Sequence, residues 1–151
     1  MRKLLVALFF VIFSVPVLAQ PVATQWEWPV RDYSTDLWSE YYEEQYFLKL
    51  NTDYNKYHLG SDLNRLDGAD CGKPVYSVAD GKVVLADDVS DWGISGWGNV
   101  VVIKHNLGNG QYVSSLYGHL KEIASGIIEG TAVYWNTQVG SIGTADRTDG
   151  Q

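Results

Sequence analysis

The chain has 151 residues and a formal net charge of −7, from 11 basic and 18 acidic side chains. Because an acidic chain repels phosphate groups, we expect no nucleic-acid partner. Cys71 is the single cysteine, so an intrachain disulfide is excluded. We expect Cys71 to be a buried small residue rather than a nucleophile or a metal ligand.

The N-terminus has the layout of a secretory signal peptide. Arg2 and Lys3 form a short basic stretch, and residues 4–19 are almost entirely apolar. This run is shorter than the about 20 apolar residues of a membrane span, and the small residues near Ala19 suit a signal cleavage site. We expect cleavage after Ala19, a secreted or periplasmic protein associated with the cell envelope, and no stable membrane span afterwards. An uncleaved anchor is the alternative.

Cleavage would leave 132 residues, a length that suffices for one domain but not for two. These residues contain 9 basic and 18 acidic side chains. Residues 20–50 form an aromatic and acidic lead-in segment, and residues 51–151 form the domain. Within the lead-in segment, residues 35–47 predict a short helix with a cap at its start. We expect the aromatic side chains of this segment to pack on the flank of the domain, with a carbohydrate-stacking surface as the alternative.

The remainder of the chain predicts a mostly β domain. Short apolar runs alternate with Gly, Asp and Asn, and no helical period is sustained over a dozen residues. Residues 100–103 are continuously apolar, which is typical of a strand covered on both faces, and residues 131–135 and 138–142 predict two later strands. We therefore expect a sheet that folds on itself or packs on a smaller one.

Two pairs of apolar runs predict antiparallel hairpins. Residues 75–78 and 82–86 flank an Asp-Gly step, which supplies the positive φ angles of a tight turn. Residues 99–105 and 111–117 flank a five-residue, Gly-rich link suited to a longer hairpin loop. We expect both hairpins to belong to the main sheet.

The candidate metal ligands lie near residue 60. Residues 57–63 read YHLGSDL, so that His58 and Asp62 are four residues apart around a glycine. Both side chains are of zinc-ligand types, and Gly60 allows an extended backbone to bend so that both point inward. Taken alone, this pair is a weak signal for a metal.

The other two histidines differ in their surroundings. His119 lies in LYGHL at residues 116–120, at the end of a predicted strand. An imidazole titrates near neutrality, so His119 can transfer a proton or donate a hydrogen bond to a developing oxyanion. His105 lies where a strand enters a turn, and we expect it to be a structural hydrogen-bonding residue rather than a ligand.

These strings resemble, in their order, the motifs of the M23 (lysostaphin-like) peptidases, over residues 57–143 and at a preceding opening segment. The matching blocks are WPV at 28–30, HLGSD at 58–62, GKPVYSVADGKVV at 72–84, GWGNVVVIKH at 96–105, YGHL at 117–120 and VGSIG at 139–143. The string at 58–62 is similar to the His-x-Gly-x-Asp motif of that family.

The resemblance implies an antiparallel β-sheet sandwich or groove of the M23 peptidase (duplicated hybrid motif) type. It implies one Zn²⁺ and cleavage of the peptide stems or cross-links of peptidoglycan. It assigns His58 and Asp62 as zinc ligands and His119 as the catalytic histidine. We expect these three side chains to converge, with no more than about 10 Å between them, because ligands and catalytic group must share one small site.

One part of the family pattern is not found in this chain. The family carries a His-x-His motif after the closing strand, which supplies the third zinc ligand, and no residue here can fill it. We therefore expect a C-terminally incomplete zinc endopeptidase domain that is inactive as it stands. A non-catalytic cell-wall-binding or hydrolase-activating module of the same fold is the alternative.

Overall fold

The computed structural model describes residues 20–31, 40–52, 55–90 and 97–143, and these contain ten β-strands and no α-helix. In chain order the strands are β1 (Tyr41–Gln45), β2 (Leu50–Asn51), β3 (Lys56–Tyr57), β4 (Asp62–Arg65), β5 (Pro74–Tyr76), β6 (Gly81–Asp88), β7 (Asn99–Asn106), β8 (Tyr112–Ile123), β9 (Ala132–Val133) and β10 (Gln138–Ile142). The mostly β, antiparallel fold class is confirmed. Among these described residues, no helix is long and apolar enough to cross a membrane. The predicted signal peptide lies outside the described residues.

Six strands form the main sheet in the order β5-β10-β8-β7-β6-β9, and every pairing is antiparallel. Only residues 77–80 connect β5 to β6, although three strands separate the two in the sheet. In a flat sheet these strands would lie about 19 Å apart, whereas the five residue steps reach roughly 17 Å when fully extended. The sheet must therefore curl, and its inner surface encloses the core.

The predicted hairpin of residues 99–105 and 111–117 is confirmed. Strands β7 and β8 pair antiparallel from Asn106 opposite Tyr112 to Asn99 opposite Leu120. The loop uses positive φ angles at Gly108 and Gly110, which glycine adopts at no steric cost. Val100, Val101 and Ile103 are buried, as the continuous apolar run predicted. The two later strands are also found, as β9 and β10.

The predicted hairpin of residues 75–78 and 82–86 is wrong. Strand β5 pairs with β10, whereas β6 pairs with β7 and β9. The Asp-Gly step serves other purposes: Asp80 Oδ1 accepts a hydrogen bond from the Trp135 backbone at 2.9 Å, and Gly81 has no positive φ. A Cβ at Gly81 would lie 2.7 Å from the Lys104 carbonyl oxygen. Glycine is therefore required for the close approach of β6 and β7 rather than for a turn.

The lead-in segment contributes to the core. The buried apolar cluster contains Val30, Tyr41, Val75, Val83, Val101, Ile103, Tyr117, Leu120, Ile127, Val133 and Val139. The helix predicted at residues 35–47 is wrong where the structure describes it, because Tyr41–Gln45 is strand β1 and pairs with β4. Tyr41 packs into the core, while Trp26, Trp28 and Tyr42 keep between 41% and 48% of their surface exposed.

The expectation that Cys71 is buried is wrong. Cys71 lies in a turn between β4 and β5, directly before Gly72, whose φ is 80°. The turn directs its side chain to the surface, and the thiol is free and exposed. A turn can point a small side chain either inward or outward, and the sequence around Cys71 does not show which.

Candidate active site

His58 and Asp62 lie on a bent segment at the edge of the two-stranded sheet β1-β4. His58 is held by its backbone, since its N–H donates to the Lys49 carbonyl at 2.9 Å and its carbonyl accepts from Leu48 N at 2.8 Å. Asp62 begins β4 and pairs with Gln45 of β1. The bend between them brings the two side chains close together.

The separation of the two side chains suits a shared metal ion. His58 Nε2 lies 3.3 Å from Asp62 Oδ1, and the two side chains are 27% and 43% exposed. Two donors bound to one tetrahedral zinc at about 2.0–2.2 Å would lie roughly 3.3–3.6 Å apart. A direct charge-assisted hydrogen bond would be shorter, at about 2.7–2.9 Å. The pair therefore has the spacing of two zinc ligands.

The second ring nitrogen of His58 is buried without a hydrogen-bond partner. An unsatisfied buried polar atom costs about 1–3 kcal/mol. A single ion between Nε2 and Asp62 cannot also bind Nδ1, so this nitrogen adds no support for a metal at His58.

His119 lies at an irregularity of β8. Its φ is 55°, a left-handed value that a residue with a side chain adopts at a cost of about 1–3 kcal/mol. The registers of β8 with β7 and with β10 both shift near this residue, as at a β-bulge, which re-aims a side chain. His119 is exposed.

Three backbone and ring contacts fix the orientation of His119. Its N–H donates to the Trp97 carbonyl at 2.9 Å, and its carbonyl accepts from Gly143 N at 3.0 Å. The imidazole stacks on the Trp97 ring, with centroids 6.0 Å apart and planes 10° apart. The strained conformation is thus held by both neighbouring segments of the sheet.

A groove of about 460 Å³ brings two of the predicted site residues together. Asp62 of β4 and His119 of β8 both line it, although 56 residues lie between them in the sequence. His58 adjoins the groove through its contact with Asp62. Glycine 143, the last described residue, also lines the groove, so the chain leaves β10 beside His119.

His105 does not line this groove. It is fully buried, with Nδ1–H donating to the Asp80 carbonyl at 2.9 Å and Nε2 lying 2.8 Å from Ser115 Oγ. Burial lowers the pKa of His105 and favours its neutral form. Both ring nitrogens are therefore occupied, and the expectation that His105 is a structural hydrogen-bonding residue is confirmed.

The donor set at the groove fits two zinc ligands but not three. In the part of the chain that the structure describes, no three His, Cys, Asp or Glu side chains cluster closely enough to hold a metal. Catalytic zinc sites use three protein ligands and leave the fourth position to water. The described residues thus supply two candidate ligands, one fewer than a catalytic zinc site uses.

Sequence reasoning missed the part of the lead-in segment that lines the groove. Pro29, Val30, Glu44 and Gln45 form one wall. The WPV string at residues 28–30 was a signal for this wall, because it already matched an opening segment. Glu44 gave no local signal, since its position follows from the pairing of β1 with β4.

The chain is similar to known proteins in sequence and in fold. A family model described as Peptidase family M23 matches residues 56–151. A zinc-containing peptidase from Vibrio cholerae has a TM-score of 0.58 and 24% identity, covering 85% of this chain and 35% of that chain. Csd3 from Helicobacter pylori has a TM-score of 0.53 and 20% identity, covering 79% of this chain and 28% of that chain. No curated protein matches the chain.

Both solved structures are similar to this chain in fold, and this chain spans only about a third of the length of each. The family match covers residues 58–62, the main sheet and His119 together.

Proposed function

The chain belongs to peptidase family M23, and we propose that it forms part of a secreted or periplasmic, zinc-dependent endopeptidase that acts on the peptide stems or cross-links of peptidoglycan. The groove shared by Asp62 and His119 carries this proposal. Asp62 of the candidate ligand pair and His119, whose imidazole can transfer a proton, both line it, and His58 contacts Asp62. Metal-assisted hydrolysis of a peptide uses metal ligands and a proton-transferring group in one site.

His58 and Asp62 would hold the zinc, and their 3.3 Å separation supports this role. When bound, zinc lowers the pKa of a coordinated water to about 7 and polarises the carbonyl of the substrate. Because two protein ligands are one fewer than a catalytic site uses, we expect these 151 residues alone to bind zinc weakly.

His119 would be the catalytic histidine. Stacking on Trp97 and two backbone hydrogen bonds restrict its orientation before substrate binds. A preoriented imidazole loses little entropy in the transition state, and its ring can donate a hydrogen bond to the oxyanion or transfer a proton. The cost of its left-handed backbone is consistent with a functional rather than a stabilising role.

The charge of the groove supports a peptide rather than an anionic polymer as substrate. Glu44 and Asp62 are the formally charged side chains that line it, and no Lys or Arg side chain does so among the residues that the structure describes. A bound Zn²⁺ would offset these two negative charges, and the groove has no cationic side chain to attract an anionic polymer. We therefore propose that a neutral stretch of the peptide occupies the groove.

The same groove allows a second candidate function. A domain with two ligands could bind peptidoglycan peptides in the same groove without cutting them, as a wall-binding or hydrolase-activating module. Zinc-dependent turnover separates the two: a binding module would retain peptide affinity in the presence of a chelator and release no product.

The proposed function is tested by adding the missing ligand. Residues 20–151 should clear suspensions of purified cell walls slowly or not at all, even with added zinc. The same chain with a His-x-His segment from a related peptidase joined after Gly143 should gain tight zinc binding and chelator-sensitive hydrolysis together. Gly143 lines the groove, so the segment enters at the site. Strong chelator-sensitive hydrolysis by the short form would show that the ligand assignment is wrong.

A further inference from the structure

A second cavity adjoins the groove and is built almost entirely outside the region that matches the family. It has a volume of about 390 Å³ and is lined by Trp28, Val30, Tyr41, Tyr42, Glu43 and Leu63. Val30 and Leu63 also line the groove that contains Asp62 and His119. The two cavities are therefore neighbours, and a peptide bound in the groove has the second cavity beside it.

The composition of this aromatic cavity suits a positive charge. Three aromatic residues and Glu43 line it, and no Lys or Arg does so among the described residues. The Arg65 guanidinium lies 5.7 Å from the Tyr41 ring centroid, so Trp28 and Tyr42 supply the rings for a ligand. Ring faces attract cations through their quadrupole, and groups of such rings recognise ammonium ligands. Trp28 and Tyr42 are 45% and 41% exposed, so that their surfaces are accessible, whereas Tyr41 is 6% exposed and forms the buried part of the lining.

The aromatic cavity is formed before any ligand binds. Trp28 lies between two backbone hydrogen bonds of the main domain, from Glu27 N to the Val78 carbonyl and from Tyr76 N to the Pro29 carbonyl, both at 2.8 Å. Strand β1 pairs with β4, with Glu43 directly opposite Leu63. Walls that are already ordered reduce the entropy cost of binding.

The position of Glu43 favours a cation over an uncharged apolar group. Glu43 is exposed and lines the cavity, so it places a hydrated negative charge there. An uncharged apolar group gains nothing from this charge, whereas a cation does. A primary ammonium would donate hydrogen bonds to the Glu43 carboxylate while its carbon chain contacted the rings. Glu44, the neighbouring residue, adds negative charge at the adjoining groove.

We propose that the aromatic cavity binds the side-chain ammonium of a diamino acid in the peptide whose backbone occupies the groove. This inference rests on the proposed function, which supplies the identity of the peptide. The ammonium group is the chemical feature by which the domain would select that peptide. Selection would come from the lead-in segment, which supplies Trp28, Tyr42 and Glu43.

The test compares two forms of one peptide with residues 20–151 at low salt. The probes are a stem peptide containing lysine with a free ε-amine and the same peptide acetylated at that amine, with binding followed by calorimetry. We expect the free amine to bind about tenfold more tightly and to lose this advantage as salt is raised. Trp28→Phe and Glu43→Gln should each weaken the free-amine peptide about three- to tenfold and leave the acetylated peptide unchanged.

Matched controls separate this site from general effects of charge and folding. Glu129→Gln makes the same charge change on an exposed residue outside both cavities, and Trp26→Phe makes the same ring change at a tryptophan that contacts His105 instead. Both should bind the free-amine peptide as the unmodified chain does. Thermal unfolding of all four variants shows whether each is folded.

Three results would overturn the inference. Equal affinity for the two peptides, unaffected by Trp28→Phe, would exclude ammonium recognition while leaving the peptidase proposal intact. Binding of an uncharged N-acetylglucosamine oligomer that depends on Trp28 would show that the cavity takes a saccharide ring. If neither peptide binds, both the ammonium site and the peptide substrate are wrong. Zinc-dependent hydrolysis by the chain with the added His-x-His segment is measured separately and tests the peptidase activity itself.

Discussion

At the scale of single residues, His58 and His119 have different environments and therefore different expected roles. His58 has its Nε2 atom 3.3 Å from Asp62 Oδ1, the separation that two ligands of one zinc ion would have. His119 is exposed, stacked on Trp97 and strained in its backbone, as suits a group that acts on a substrate.

Substituting each histidine in the chain that carries the added His-x-His segment should separate these roles. His58→Ala should abolish both zinc binding and wall hydrolysis, because it removes a metal ligand. His119→Ala should keep most of the zinc and lose about 100-fold or more in rate, the usual scale of acid–base assistance. Metal content and turbidity clearance are measured on the same samples. Loss of zinc in His119→Ala would instead assign that residue as a ligand.

His105 should make the stability of the fold depend on pH. Burial lowers its pKa below the usual value of about 6.5, so the unfolded chain binds the proton more readily than the folded one. The contribution of neutral His105 is complete above about pH 6.5 and is lost as the pH falls towards the lowered pKa of the folded state.

The variant His105→Gln tests this pH dependence. At pH 7.5 it should lower the free energy of unfolding by about 1–3 kcal/mol, because the bonds to Asp80 and Ser115 are disturbed. Its loss of stability between pH 7.5 and pH 5.5 should be smaller than that of the unmodified chain. Denaturant unfolding at both pH values is the measurement, and parallel pH curves for the two proteins would contradict the assignment.

At the scale of elements, the bulge in β8 connects packing to the site. A Cβ at Gly118 would lie 2.9 Å from Trp97 Cε3, which is too close for a carbon–carbon contact. The Trp97 ring would have to move, and it is the ring on which His119 stacks. The absence of a side chain at Gly118 thus allows the histidine to be held in place.

Gly118→Ala should therefore affect both stability and rate. We expect a loss of about 1–3 kcal/mol from overpacking and, in the chain with the added segment, a rate reduced about tenfold or more by misplacement of the imidazole. Gly60→Ala is the control for stability, because no atom lies within 4 Å of its added Cβ. If Gly118→Ala unfolds like the unmodified chain, the contact with Trp97 does not constrain the fold.

At the scale of the whole molecule, the lead-in segment and the curled sheet form one core. Val30 is 5% exposed and Tyr41 is 6% exposed, and both belong to the central apolar cluster. Each buried side chain of this size contributes about 1.5–3 kcal/mol, which is a large share of the 5–15 kcal/mol of a typical domain. The region matched by the family thus depends on residues that precede it.

A chain that begins at residue 55 should consequently be much less stable than residues 20–151. We expect it to lose its cooperative thermal transition or to melt at least 10 °C lower, because it lacks both core side chains and one wall of the groove. Val30→Ala in the longer chain provides a milder comparison, with an expected cost of about 1–3 kcal/mol. Equal melting temperatures for the two chains would show that the segment is an independent appendage.

The sequence by itself determined the β class, the β7-β8 hairpin, the structural role of His105 and the ordered motifs of the family. These depend on patterns within a few residues, such as the apolar run at residues 100–103 and the glycines at 108 and 110. Local backbone preference is sufficient to specify them.

Only the tertiary structure decided the partner of β5, the exposure of Cys71, the groove wall from the lead-in segment and the strained backbone of His119. Each depends on contacts between residues far apart in the chain, as when Asp80 accepts a hydrogen bond from Trp135 instead of forming the predicted turn. Propensity at an Asp-Gly step is worth about 1 kcal/mol or less, whereas strand pairing and core burial across the curled sheet sum over many residues. The larger, non-local free energy therefore set the topology.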